Sequence, residues 1–172
     1  MLFLKAKLRA KLISAEEYVT RRAAWLHAWE PRLSDGMRGG AWLMAHAIPA
    51  RTAEEAREAL EAQPSLMPLE YYGLDFSLLE SMVGKVYLLA GRSEEALPHL
   101  QRAVAACDAV NTPIQHTQAE YHLGMALEAR GEKAAACAAY KSVIDRWSTS
   151  KRSVTAKAAE SRAKALGCPR AS

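Results

Sequence analysis

The sequence predicts an all-α fold, a solenoid of helical hairpins, on three observations. Glycine (9) and proline (7) are sparse among 172 residues while alanine is abundant, a mixture that favours helices over strands. The chain repeats itself at a shift of 40 residues. Inside each repeat the apolar residues recur at helical spacing, and no stretch alternates with β-branched enrichment as a strand would.

Length and composition set the bounds. A chain of 172 residues, half of it hydrophobic and 24% charged, can bury a core as a single domain. No apolar run approaches the about 18 residues that span a membrane. Residues 1–12 lack the continuous apolar stretch of a signal peptide. Cys107, Cys137 and Cys168 are odd in number and about thirty residues apart. That spacing predicts no paired disulfide framework and no C-x-x-C site, and it predicts a cytoplasmic, reducing location.

The net charge of +4 is unevenly placed. Residues 1–12 carry four basic residues and no acid, and residues 151–172 carry six basic residues against Glu160. The stretch between holds thirteen basic and eighteen acidic residues, so the body is acidic and the ends are basic. A nucleic-acid binder more often shows a basic stripe through its body. Basic ends on an acidic body read as solvated helix faces, with an anionic surface or nucleic acid as the alternative partner.

Taken in order, residues 1–12 place Leu4, Leu8 and Leu12 at i, i+4, i+8. They predict a first helix whose leucines pack on Tyr18, Trp25, Leu26 and Trp29, with a membrane-surface helix as the alternative. Ser14 with Glu17 and Thr52 with Glu55 form capping boxes that open two further helices. Residues 31–40 and 63–74 are rich in Pro, Gly, Ser and Asp and read as loops.

The clear repeats follow. Leu79, Met82, Val83, Val86, Tyr87 and Ala90 form one helix face, stopped by Gly91. A second helix from Ser93 carries Ala96, Leu97, Leu100, Ala103, Val104 and Cys107, with Pro98 about one turn in. Thr112, Pro113 and Gln115 predict the start of a third, Thr112 as N-cap in a capping box. That helix carries Ala119, Leu123, Ala126 and Leu127, and its partner carries Ala136, Ala139, Tyr140, Val143, Ile144 and Trp147. A last helix runs over residues 153–166 and stops at Gly167. The organisation is one domain: degenerate repeats over 1–74, two clear repeats over 75–150, and a capping helix with tail over 151–172.

At the shift of 40, Gly84 matches Gly124, Gly91 matches Gly131, Ala96 matches Ala136 and Leu100 matches Tyr140. Thr52-Ala53-Glu54-Glu55-Ala56 is a weaker copy of Arg92-Ser93-Glu94-Glu95-Ala96, and Met44 and Arg51 replace its glycines. The order x2-Val83-Gly84-x2-Tyr87…Ala96-x3-Leu100-x2-Ala103 resembles the tetratricopeptide repeat, a helix-turn-helix unit. Two departures stand out: the period is 40 rather than 34, and Glu80 and Glu120 take the tryptophan place. The small residues Gly84 and Ala96 mark where the two helices of a unit approach most closely.

The resemblance implies a right-handed solenoid whose first helices line a concave groove for a protein or peptide partner. The matching groove positions are Leu78, Ser81, Lys85 and Leu88, then Gln118, Tyr121, Met125 and Glu128, with Arg38 and Ala41 from the weak unit. Lys85 and Tyr121 are expected to be solvent-exposed. The set of a terminal-carboxylate clamp is missing. Residues 54–168 are also similar to the C-terminal repeat regions of myxobacterial serine/threonine kinases, through 91–100 and the ending 152–168. That similarity implies a bacterial regulatory or scaffolding region.

Chemistry is sparse. The chain carries no glycine-rich phosphate loop, no H-R-D, no D-F-G and no G-x-S-x-G. His116 and His122 fall on different faces of one helix, and no His, Cys or carboxylate group has metal-ligand spacing. The expectation is a non-catalytic interaction module without metal or cofactor, with a small-ligand sensor as a further alternative.

Overall fold

The computed structural model describes residues 1–33, 35–63, 76–106, 109–147, 149–150 and 152–169. Every regular element among them is helical. The chain divides into two compact units, Met1–Asp75 and Phe76–Ser172.

The first unit holds α1 (Leu2–Arg9), α2 (Ala15–Trp29), a 3₁₀ turn (Glu30–Arg32), α3 (Asp35–Trp42), a π-helical turn (Leu43–Ala47) and α4 (Ala53–Ala62). Both expected capping boxes form: the Glu17 N–H donates to Ser14 Oγ at 3.0 Å and the Glu55 N–H to Thr52 Oγ1 at 3.2 Å. Trp42 anchors the core, 1% exposed, with its indole N–H on the Ala59 carbonyl at 2.8 Å. Residues 31–40 are not the expected loop, because α3 begins at Asp35 and runs through Gly36, Gly39 and Gly40. The apolar residues that follow, Ala41, Trp42 and Leu43, are buried, and this packing outweighs the glycine cost. The expected loop over 63–74 lies outside the described residues from 64 onward, as does Cys107.

The N-terminal helix packs differently from its leucine stripe. Leu4 and Leu8 are half-buried and Leu12 is 72% exposed. The buried residue of α1 is Lys5, whose ammonium lies 4.6 Å from the Tyr18 ring centroid and 2.6 Å from the Glu55 carboxylate. Its alkyl stem fills the site while the charge is paired, so a cation takes the place expected of a leucine. Arg9 donates to the Pro49 carbonyl at 2.6 Å and lies 3.5 Å from Glu55.

The second unit is a stack of helical hairpins: α5 (Phe76–Leu89) with α6 (Ser93–Ala105), α7 (Pro113–Ala129) with α8 (Lys133–Trp147), and then α9 (Val154–Leu166). The expected apolar faces are the core. Leu79, Met82, Val83, Val86, Ala96, Leu97, Leu100 and Ala103 are buried, as are Ala119, Ala126, Leu127, Ala136, Tyr140 and Val143. A Cβ added at Gly84 would stand 2.6 Å from Leu100 Cγ, so the glycine is where α5 and α6 touch. Pro98 sits at the sixth residue of α6, which continues to Ala105. Thr112 precedes α7, with Pro113 first in the helix, but makes no side-chain capping bond to close the expected box.

Helices α5, α7 and α9 end alike. Gly91, Gly131 and Gly167 have φ of 82°, 78° and 68°, a conformation that costs glycine little. In each case the next residue's N–H returns to a carbonyl five residues back: Arg92 to Tyr87, Glu132 to Leu127 and Cys168 to Ala163. By this alignment α9 is a third first-helix, packed on α8 as α7 packs on α6. Glu160 of α9, exposed, then takes the place of Gly84 and Gly124.

One expectation from the cysteines is overturned. Cys137 and Cys168 form a disulfide across α8 and the end of α9, with Cα atoms 5.5 Å apart. An odd cysteine count does not prevent one pair, and the turn at Gly167 brings Cys168 back over α8. The argument for a reducing location rested on unpaired cysteines, and this bond removes it.

Candidate functional site

The glycine stops align three rows of equivalent positions on the first helices of the second unit. The first is Leu78, Ser81, Lys85 and Leu88 on α5. The second is Gln118, Tyr121, Met125 and Glu128 on α7. The third, which sequence reasoning missed, is Val154, Lys157, Ser161 and Lys164 on α9. Its period is 36 rather than 40, because α9 is shorter than α7 and begins at the place of Gln118.

Exposure changes steadily along these rows. On α5, Ser81, Lys85 and Leu88 are buried, at 1%, 8% and 9%, and Leu78 is half-buried. All four α7 residues are half-buried, and all four α9 residues are exposed. The expectation of an exposed Lys85 is corrected, and Tyr121 is only partly accessible. Arg38 is half-buried and Ala41 buried in the first unit.

The α7 row is tied to its neighbours. The Tyr140 hydroxyl of α8 donates to Glu128 at 2.5 Å, and Arg162 of α9 donates to the same Glu128 oxygen at 3.0 Å. Tyr121 packs against Tyr140 with ring centroids 6.1 Å apart and hydrogen-bonds Arg162. Burial and then the Glu128 bond raise the Tyr140 phenol above its usual value, so it stays a donor. Burial works against the Arg162 charge, and the bonds to Tyr121 and Glu128 outweigh it.

Behind the rows, the two glutamates at the tryptophan place are buried and bonded. Glu80, 1% exposed, takes His99 Nδ1 at 2.6 Å and Arg102 at 3.0 and 3.1 Å. Glu120, 6% exposed, accepts from Ser142 Oγ at 2.8 Å, with Arg146 at 3.5 Å. His116 faces the Val104 carbonyl through Nε2 at 3.1 Å, so that nitrogen carries the proton and Nδ1 accepts from Arg146 at 3.0 Å. These polar groups brace α5 on α6 and α7 on α8. No group of three His, Cys, Asp or Glu among the described residues could hold a metal ion. No described helix is long and apolar enough to cross a membrane.

Residues 118–150, most of α7 and all of α8, match the tetratricopeptide repeat family. No curated protein and no solved structure matches the chain. Tetratricopeptide repeats are in general units of protein–protein interaction modules, and the family is typically non-catalytic.

Proposed function

We propose, from the tetratricopeptide repeat at residues 118–150, that the chain is a non-catalytic module that holds a peptide segment of a protein partner along α7 and α9. The gradient of exposure carries this reading. A partner reaches Gln118, Tyr121, Met125 and Glu128 in part and Val154, Lys157, Ser161 and Lys164 in full, whereas Ser81, Lys85 and Leu88 of the α5 row are buried. Lys157 and Lys164 sit two turns apart on that open row, which suits a segment acidic at that end. A regulatory or scaffolding role is compatible with the same reading.

The test is a pull-down from the native host with wild type and a Lys157→Glu, Lys164→Glu variant, with circular dichroism on both. Both lysines are exposed, so the fold is expected to be unchanged. Loss of captured proteins supports the α7–α9 row, and an unchanged set excludes it.

A second reading, nucleic acid on the basic α9, keeps one specific support: Arg152, Lys157 and Lys164 are all exposed. The basic N-terminus supports it less, because Lys5 and Arg9 are engaged with Glu55 and Pro49. Affinity for a mixed-sequence duplex falling steeply with salt would favour this reading over a peptide.

A further inference from the structure

We propose that Cys137–Cys168 is a thiol–disulfide exchange site, opened by a dithiol reductant, and that its opening lets the C-terminal end of α9 leave α8. The previous repeat shows what the bond replaces. At the shift of 40, Cys137 stands where α6 has Leu97, which is buried. Cys137 itself is only half-buried, as is Cys168, and Cys137 lines a surface pocket that a small thiol can enter. A covalent link stands where the preceding unit uses leucine packing.

The surroundings choose the direction of attack. Lys133 and Lys141 lie one turn to either side of Cys137 on α8 and line one surface pocket with it, together with Gly167 and Pro169. Lys133 Nζ lies 3.5 Å from the place a Gly167 side chain would take, beside the disulfide. Lys141 is paired with Asp145, which leaves Lys133 as the pocket lysine set against the Gly167 turn. The reductant's thiolate attacks Cys137 Sγ, which lines the pocket, the S–S bond breaks, and its electron pair leaves on Cys168 Sγ as a thiolate, next in sequence to the Gly167 that Lys133 approaches. The reductant's second thiol then displaces Cys137, closing its own disulfide. Two electrons pass from the dithiol to the protein, and each cysteine gains one proton from solvent.

Opening has a structural consequence. The last turn of α9 rests on α8 through Ala163 and Leu166, which pack beside Ala136, Tyr140 and Val143. Without the link, the chain after Gly167 no longer holds that turn. Arg162 on Glu128, one turn earlier, still pins the middle of the helix. The released surface is the apolar face of α8.

The test uses the whole chain purified without reductant. Iodoacetamide in denaturant, followed by peptide mass mapping, is expected to label Cys107 alone, and all three cysteines after dithiothreitol. Native protein treated with dithiothreitol is expected to melt about 10 °C lower, a shift sized from a link 31 residues apart in sequence. Oxidised glutathione should restore the melting temperature, and Cys168→Ser should fix it at the lower value under both conditions. Lys133→Gln should slow opening by roughly threefold without changing the oxidised melting temperature. Labelling of all three cysteines before reduction would overturn the site. So would opening at the rate of global unfolding, or equal melting temperatures of the oxidised and reduced forms. An opening rate unchanged in Lys133→Gln would overturn the assignment of Cys168 as the leaving sulfur.

Discussion

Gly124 of α7 lies directly under the ring of Tyr140 on α8: a Cβ at Gly124 would stand 2.5 Å from Tyr140 Cε1 and 2.7 Å from Cδ1. No real side chain tolerates such contacts, so the glycine sets how closely the hairpin closes. Gly124→Ala is expected to destabilise by about 1–3 kcal/mol through overpacking, and Gly84→Leu by the same amount or more. Urea midpoints check this. Tyr140→Leu in the Gly124→Ala background should recover part of the loss, since the two residues are in contact. Unchanged midpoints for both single variants would remove the repeat alignment.

The sequence carried this contact because a glycine inside a helix has few physical reasons to recur at one spacing. Side-chain burial inside the hairpins was legible for the same reason: Leu79, Val86, Leu100 and Val143 follow a helical period. What spacing could not give was the environment of single charges. Lys5 reads as a solvated residue between leucines, and it is buried because Tyr18 and Glu55, thirteen and fifty residues away, meet over it. Lys85 occupies a groove place in the repeat pattern, yet the pattern holds no record of what lies over a helix, and the residue is covered. The α9 row is hidden from the repeat because α9 has 13 residues against 17 in α7 and begins at the place of Gln118, which breaks the period of 40 that reveals the others. The pairing of Cys137 with Cys168 depends on the turn at Gly167, and thirty residues of spacing say nothing of that turn.

Glu80 gives an acid-side prediction. Burial pushes its carboxyl up, but the bonds to His99 and Arg102 overcome that and hold it below the usual carboxylate range. An acid depressed in this way contributes stability above the unfolded carboxyl value of about 4.3, and that contribution is lost as pH falls through the folded value. Glu80→Gln is expected to cost about 1–3 kcal/mol at pH 7. It should also flatten the fall in stability on the acid side of pH 4.3. Urea midpoints from pH 7 down to pH 3 read both effects, and parallel curves for wild type and variant would sink the assignment.

Two imidazoles titrate low. His46 in the first unit is pushed down to about 4 by burial and then by Arg22, and its Nδ1 has no hydrogen-bond partner. His122 in the second unit is likewise pushed down to about 4 by burial and then by Lys85. The folded chain refuses protons that the unfolded chain accepts from about pH 6.5 downward. Stability should therefore drop between pH 6.5 and 4, and the combined His46→Phe, His122→Phe variant should lose that slope. Nuclear magnetic resonance titration of the two ring protons should give midpoints near 4. Midpoints near 6.5 would contradict the burial of both rings.

Removing α9 tests the cap. The helix starts cleanly, with the Ala156 N–H on Ser153 Oγ at 3.2 Å, and stops cleanly at Gly167. Between those ends Ala156 and Ala159 are buried, and Arg162 reaches Glu128. These alanines are small because α9 must lie close on Ala136, Tyr140 and Val143, the face that every preceding hairpin covers with its neighbour. A chain ending before Ser153 exposes that face and leaves Glu128 without its arginine. Exposed apolar area of this kind drives association between copies, because a terminal repeat without a polar outer surface has nothing else to cover it. The truncated chain is expected to melt lower and to self-associate in sedimentation experiments, increasingly so with concentration. Substituting Ala159→Asp in the full chain separates the two causes. It places an unpaired carboxylate in the α8–α9 contact and should lower the melting temperature by a similar amount. A truncated chain as stable and monomeric as the full one would make α9 a tail, and its lysines would then need another explanation.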